Sequence, residues 1–277
     1  MPKPRALALV TGAAGGIGEV VCARLAAQGH TLICVERDTA LAEKAASAVP
    51  GEAIAVACDL SDRDAVQVLA DRMEREWGHD LALVFLNAGI VIPGDVVDST
   101  PQRLLLQLDV MLGSVVHLAA SAARAFTSRG SGHIIATVST GGILALPGSA
   151  AYSASKAGLR AYLAALSAEL RGTGVAVSGI YPSAVDTPML LHEATHDGSL
   201  LNFIGKISTA EDVADAFEEA QRKRRLEHYL PYSDSLLVRF LECFPWIVPP
   251  LLGPANALGR RGRARYLKRK GIDAGVS

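Results

Sequence analysis

Aromatic side chains make up only 5 % of this 277-residue chain. So few rings beside abundant alanine suit closely packed helices better than an all-β sandwich. Cysteine is scarce. Cys22, Cys34, Cys58 and Cys243 form no CxxC pair, and they read as reduced, mostly buried thiols of a cytoplasmic protein. An excess of charge is missing: 27 Lys and Arg stand against 28 Asp and Glu. That balance gives no support for a nucleic-acid partner at the level of the whole chain. A run of about 18 apolar residues is also missing, so no transmembrane helix is predicted. The opening MPKPRALALVTG has too short an apolar stretch for a secretory signal.

What is present is a core-forming half: 50 % of the residues are hydrophobic. Short apolar runs alternate with helical patterns. Strands are predicted at Ala6–Val10, Leu32–Val35, Ala53–Cys58, Leu81–Leu86, His133–Ser139 and Val175–Tyr181, with a short seventh at Leu226–Tyr232. Helices are predicted from the Gly-rich turn to about Gln28, near Leu41–Ala48, over Asp62–Trp77, Pro101–Thr127, Tyr152–Leu170 and Ala210–Lys223. Continuous apolar strands separated by helices indicate βαβ units and a parallel sheet covered on both faces. Right-handed crossovers then give a doubly wound α/β sheet with ligands at the carboxyl ends of its strands. One domain over residues 1–232 is expected, followed by a C-terminal extension over 233–277 whose composition shifts to prolines, aliphatics and then arginines.

Two local patterns carry chemistry. Thr11-Gly-Ala-Ala-Gly-Gly-Ile-Gly18 lies between the first strand and the first helix. Glycines there permit a tight turn and a close approach to a pyrophosphate, and the helix start offers free N–H groups and a positive dipole end. Glu36 follows at the end of strand two. A carboxylate there accepts from ribose hydroxyls and repels a 2′-phosphate. Gly15 offers no compensating cation, so NAD is favoured over NADP, with Arg37 as a weak opposing sign. The second pattern is Tyr152-Ser-Ala-Ser-Lys156. Tyr and Lys four apart share one helix face. An ammonium beside a phenol lowers its pKa and makes it a workable acid/base near neutral pH.

Together these motifs resemble the short-chain dehydrogenase/reductase family. The resemblance rests on TGxxxGxG (Thr11–Gly18), Asp59 after strand three, Asn87-Ala88-Gly89, Ser139 thirteen residues before Tyr152, YxxxK, and the Pro182 segment with Val185 and Thr187. It covers about residues 5–232. It implies a Rossmann-type fold, a nicotinamide cofactor and alcohol/carbonyl redox chemistry on a secondary alcohol or its ketone. It further implies that Gly12, Gly16, Ile17, Gly18, Asp59, Leu60, Asn87, Ala88, Gly89, Pro182, Val185 and Thr187 line the cofactor. Tyr152 would give or take the proton of the substrate oxygen, Ser139 would hydrogen-bond that oxygen, and Lys156 would bind the nicotinamide ribose. The same resemblance suggests a homodimer or homotetramer.

Two positions depart from the family pattern. Ser183 replaces the usual glycine after Pro182. Met111 stands where an Asn often completes a proton relay to the Lys; either a main-chain carbonyl and water replace it, or Asp109 takes part through a helix irregularity. Met111 is also what a non-catalytic dinucleotide-binding sensor of the same fold would carry. His192-Glu193-Ala-Thr-His196 matches HExxH, so a zinc hydrolase is a remote alternative, but no obvious third ligand follows at short spacing and no metal is predicted. His117 reads as a packed core residue. The segment Met189–Ile204 is apolar and would face Ile90–Pro93 and Ile143–Leu146. Ile143, Leu146 and Met189, with Ser139 and Tyr152, are therefore the substrate-contact candidates, fitting a bulky apolar alcohol or ketone. The extension would cap the pocket, pack on a partner subunit or lie on a membrane surface, while Arg260–Lys270 by itself reads as a solvated end.

Overall fold

The computed structural model describes residues 6–196 and 198–272. Seven parallel strands form one sheet in the order β3-β2-β1-β4-β5-β6-β7: β1 (Leu7–Thr11), β2 (Thr31–Glu36), β3 (Ala53–Ala57), β4 (Leu81–Leu86), β5 (Gly132–Thr137), β6 (Val175–Pro182) and β7 (Glu227–Leu230). The central strands are almost wholly buried because helices cover both faces.

On one face pack α1 (Gly16–Ala27), α2 (Thr39–Ala48) and α8 (Ala210–Lys223). On the other pack α3 (Arg63–Arg75), α5 (Ser114–Arg129) and α6 (Ala150–Glu169). Helix starts are marked where the sequence supplies an oxygen. Asp38 accepts from Leu41 N–H, Asp62 from Asp64 and Ala65, and Thr209 with Asp212 forms a reciprocal capping box. The chain order reverses between β1 and β4. The crevice beyond their carboxyl ends is where such a sheet binds ligands.

Two expectations change. The predicted helix Pro101–Thr127 is α4 (Pro101–Leu108), a π turn at Asp109–Gly113, and then α5. By length and hydropathy Pro101–Arg129 passes for a membrane span, but its second half packs against α3 and α6 in the layer over the sheet. The extension is helical: α9 (Tyr232–Cys243) and α10 (Val248–Arg269) meet at a bend of 101°. Pro249 and Pro250 fall in the first turn of α10, where a missing N–H costs nothing, so they start the helix instead of breaking it. Between β6 and α8 the chain forms α7 (Pro188–Thr195) and a 3-10 turn at Leu200–Phe203.

Candidate active site

The Gly-rich turn leaves β1 through Gly12, at φ +68°, where a Cβ would come within 2.9 Å of the Ala88 Cα. A side chain at Gly18 would collide with the Gly12 carbonyl, so the turn closes only on glycine. No side chain caps the start of α1. The first-turn positions are Gly16, Ile17 and Gly18, and they present backbone N–H groups with no competing side-chain acceptor. That uncapped, glycine-lined helix start fits a dinucleotide pyrophosphate. Glu36 sits at the end of β2 as expected, but its Oε1 already accepts from the Ala14 N–H at 2.7 Å, so it also braces the turn. Asp59 is exposed after β3, and two hydrogen bonds from Ser61 hold its carboxyl below the usual range. Leu60 packs against the core beside it.

A hydrogen-bonded chain joins the turn to Lys156. Thr11 Oγ1 accepts from the Asn87 and Ala88 N–H groups at 3.0 and 3.1 Å. Asn87 Nδ2 reaches the Thr11 and Gly12 carbonyls, and Asn87 Oδ1 accepts from Thr137 Oγ1 at 2.9 Å. The Thr137 carbonyl accepts from Lys156 Nζ at 2.7 Å. Three strand ends and α6 are thereby fixed to one another.

Ser139, Tyr152 and Lys156 come together at the end of β5 and the start of α6. Ser139 holds φ at +112°, an uncommon conformation for a residue with a side chain, and its Oγ accepts from the Gly141 N–H at 3.1 Å. Gly141 and Gly142 let α6 approach. A Cβ on the first would meet the Tyr152 ring at 3.0 Å, and one on the second the Lys156 backbone at 2.7 Å. Lys156 is buried, and burial pushes its ammonium down to about 8. Burial pushes the Tyr152 phenol up to about 12, with Ser139 hydrogen bonding opposing and the Glu193 charge adding to it. The expectation that Lys156 draws the phenol below its free value is therefore not met. Lys156 Nζ lies 5.9 Å from the ring centroid and is occupied with Thr137, so desolvation outweighs it.

Met111 lies in the π turn, fully buried, with its sulfur 3.6 Å from a Cβ placed on Gly89. It packs; it has no proton to relay. The irregularity allowed for Asp109 exists, but the Asp109 carboxylate turns to Arg63 at 3.2 Å. A place for Asp109 in the relay is thus not supported. The π turn also seats Leu112 on Gly158 of α6. Beyond β6, Pro182 ends the strand, Val185 is buried and bridges to Ser208, and Thr187 caps α7 and faces Gly16. The Ser183 hydroxyl is buried without a hydrogen-bond partner among the described residues.

Of the substrate-contact candidates, Met189 faces Gly89 across the cleft and Leu146 is half-buried. Ile143 is buried and belongs to the main core cluster. The loop's apolar residues are divided in the same way. Leu190 and Phe203 form a third core cluster with Tyr266 and Leu267 of α10. Arg260–Lys270 is thus not simply a solvated end.

The HExxH segment takes a different role. α7 ends at Thr195, so His196 leaves the helix, and its Nδ1 lies 3.0 Å from the His192 carbonyl. Both His are exposed, while Glu193 turns inward. Its Oε1 accepts from Asn202 Nδ2 at 3.0 Å, and burial raises it to about 7. No set of three His, Cys, Asp or Glu side chains among the described residues is placed to hold a metal. Glu193, whose charge acts on the Tyr152 phenol, is singled out in the sequence only as the base of a zinc site. The HExxH match drew attention to it for the wrong chemistry.

The profile of the family described as short chain dehydrogenase matches residues 6–197. A 1-deoxy-11-beta-hydroxypentalenate dehydrogenase from Streptomyces exfoliatus is 38 % identical over 244 residues, covering 86 % of both chains. A short chain dehydrogenase/reductase from Burkholderia phymatum in complex with NAD superposes with a TM-score of 0.75 at 25 % identity, covering 85 % of this chain and 92 % of that one. A short-chain dehydrogenase from Sphingobium yanoikuyae shares the fold over 98 % of both chains, with a TM-score of 0.73 at 22 % identity. With the Gly-rich turn, the Asn87 network and the Ser139/Tyr152/Lys156 cluster in their places, the chain belongs to the short-chain dehydrogenase/reductase family of oxidoreductases.

Proposed function

We propose that this protein is an NAD-preferring oxidoreductase that interconverts a hydrophobic secondary alcohol and its ketone. The observation that carries this reading is the network from Thr11 through Asn87 and Thr137 to Lys156, which sets Lys156 and Tyr152 beside a strained Ser139. The turn at Gly12–Gly18 would hold the pyrophosphate, Glu36 the adenosine ribose, and Lys156 the second ribose. The bound nicotinamide supplies the acceptor or donor of the hydride at the carbinol carbon.

The remaining work belongs to the chain. Tyr152 Oη takes the carbinol proton in oxidation and returns it in reduction. Ser139 Oγ donates to the same substrate oxygen and stabilises its developing charge. Met189 and Leu146 make the pocket wall apolar. A relative named for a hydroxylated carboxylate supports an alcohol of this kind. The substrate class, the NAD preference and a cytoplasmic location are parts of this proposal. So is a homo-oligomer, for which the alanine-lined groove of about 600 Å³ between α5 and α6, with Ala120, Ala123 and Ala165, is the natural contact.

A panel of hydrophobic secondary alcohols with NAD and with NADP, followed by absorbance of the reduced nicotinamide, tests the reading. Turnover with NAD supports it. Cofactor binding without turnover across the panel would favour instead a non-catalytic dinucleotide sensor, the reading that Met111 supports.

A further inference from the structure

The face of the extension that does not dock on the domain has a definite chemistry. On α9, Leu236, Leu237 and Phe240 lie on one face, Phe244 follows just past the helix end, and each is exposed. The stripe crosses the bend as a chain of rings. Phe240 and Phe244 lie 5.2 Å apart, Phe244 and Trp246 5.6 Å, and Trp246 is 69 % exposed. It continues along α10 through Leu251 and Leu258 and then, at the same spacing of three and four, becomes Arg261, Arg265 and Lys268, all exposed. The opposite edge of α10 is fully used. Gly259 and Gly262 sit against Leu200 and Phe203, and Tyr266 is buried.

Charge selects the occupant. Between Pro245 and Lys270 the chain carries seven cations and no carboxylate. On α9, Glu242 points away from the stripe to Arg160 at 2.7 Å. Lys270 is paired with Asp186, but a second copy would still bring the same exposed Arg261, Arg265 and Lys268 to the contact, and like charges disfavour that pairing. Aromatic rings at a helix junction, aliphatics beside them and arginines and lysine at the far end are what an acyl boundary under an anionic headgroup layer accepts.

We infer that the bent α9–α10 pair seats this enzyme on an anionic lipid surface, with Phe240, Phe244 and Trp246 entering the acyl boundary and Arg261, Arg265 and Lys268 holding the headgroups. The docked edge of α10 rests on the Leu200–Phe203 turn and on Asp186, which follows β6. The lipid contact therefore abuts the segment over which an apolar substrate enters. This last step rests on the proposed function; the lipid contact itself does not.

The test uses the full chain without substrate. Sedimentation with phosphatidylcholine vesicles and with vesicles containing about a third phosphatidylglycerol is expected to show at least about tenfold stronger binding to the anionic set, weakened by salt. Phe240→Ser, Phe244→Ser and Trp246→Ser combined should abolish sedimentation. Arg261→Gln, Arg265→Gln and Lys268→Gln combined should remove the anionic preference. All six positions are exposed, and circular dichroism checks that the variants stay folded. Failure of the wild type to sediment, or sedimentation untouched by both variants, overturns the inference. So does a concentration-dependent dimer that the aromatic variant disrupts in a chain that ignores vesicles, since that assigns the stripe to a second copy. Vesicle binding by a chain without turnover leaves the inference standing and removes only the proposed reaction.

Discussion

The Tyr266 hydroxyl donates to Asp186 Oδ1 at 2.8 Å, eighty residues away in sequence. Lys270 Nζ reaches the same oxygen at 2.8 Å. Burial pushes the Asp186 carboxyl up, but Lys270 and Tyr266 outweigh it and hold the carboxyl below its usual range. Asp186 lies between Val185 and Thr187, so the last turns of α10 fix the loop proposed to close on the cofactor.

Tyr266→Phe removes one charge-accepting hydrogen bond and almost no volume. Such bonds contribute about 1.5–3 kcal/mol when enclosed and less at a half-exposed carboxylate such as this. A several-fold rise in the NAD dissociation constant is expected, read by quenching of protein fluorescence. Removing residues 248–277 should raise it further and raise the substrate KM, because it also uncovers Leu190 and Phe203. An unchanged dissociation constant in both variants would detach the extension from the site.

Glu36 has two partners to lose. Its carboxylate is proposed to hold the ribose, and it accepts from the Ala14 N–H. Glu36→Ala should therefore lower affinity for NAD while raising the ratio of kcat/KM for NADP over NAD, since repulsion of the 2′-phosphate is removed. Glu36→Gln keeps an acceptor for Ala14 and should show the specificity change with less loss of affinity. A wild type that prefers NADP would contradict the assignment of Glu36.

Much of this arrangement is legible in the sequence because it is local. The strands are continuous apolar runs, and Thr11–Gly18 and Tyr152–Lys156 are each short, contiguous stretches. What escaped depends on contacts between distant residues. The π turn is seated by Leu112 on Gly158, 46 positions away. The inward turn of Glu193 depends on Asn202. α10 holds its place through Gly259 and Gly262 against Leu200 and Phe203, and its prolines disguise a helix start as a loop. Periodicity reports which face of an element is apolar; it does not report which distant element will cover it.

Glu193 makes the site sensitive to pH. Its folded value of about 7 lies above its unfolded one, so its contribution to stability is present below the unfolded value and is lost as pH rises through 7. Glu193→Gln escapes that loss. The variant's melting temperature relative to wild type should rise by a few degrees between pH 4 and pH 8, at about 2–4 °C per kcal/mol for a chain of this size. The Glu193 charge also raises the Tyr152 phenol. In Glu193→Gln the alkaline limb of alcohol oxidation should therefore move to lower pH. A limb that stays in place would separate Glu193 from the Tyr152 hydroxyl.

The reaction needs a group that takes a proton from a carbinol oxygen and gives it back. Tyr152 Oη is the group proposed for it, with Ser139 nearby and Lys156 one helical turn on. Tyr152→Phe deletes the oxygen and hardly changes packing, so kcat should fall by about 10²-fold or more, the range for a general acid/base. NAD affinity should stay nearly constant, because the proposed ribose contact belongs to Lys156. Lys156→Ala should damage both turnover and affinity, since it also releases the Thr137 carbonyl that the ammonium holds at 2.7 Å. Burial pushes the phenol up to about 12. Oxidation by the wild type should therefore still be gaining rate above pH 9, while ketone reduction, which needs the protonated phenol, holds its rate below that pH. Ser139→Ala should lower kcat in both directions without shifting cofactor affinity. Turnover by Tyr152→Phe equal to wild type, measured on a substrate that the wild type demonstrably uses, would remove Tyr152 from the chemistry. The chain would then remain a dinucleotide-binding member of its family whose proton donor lies elsewhere.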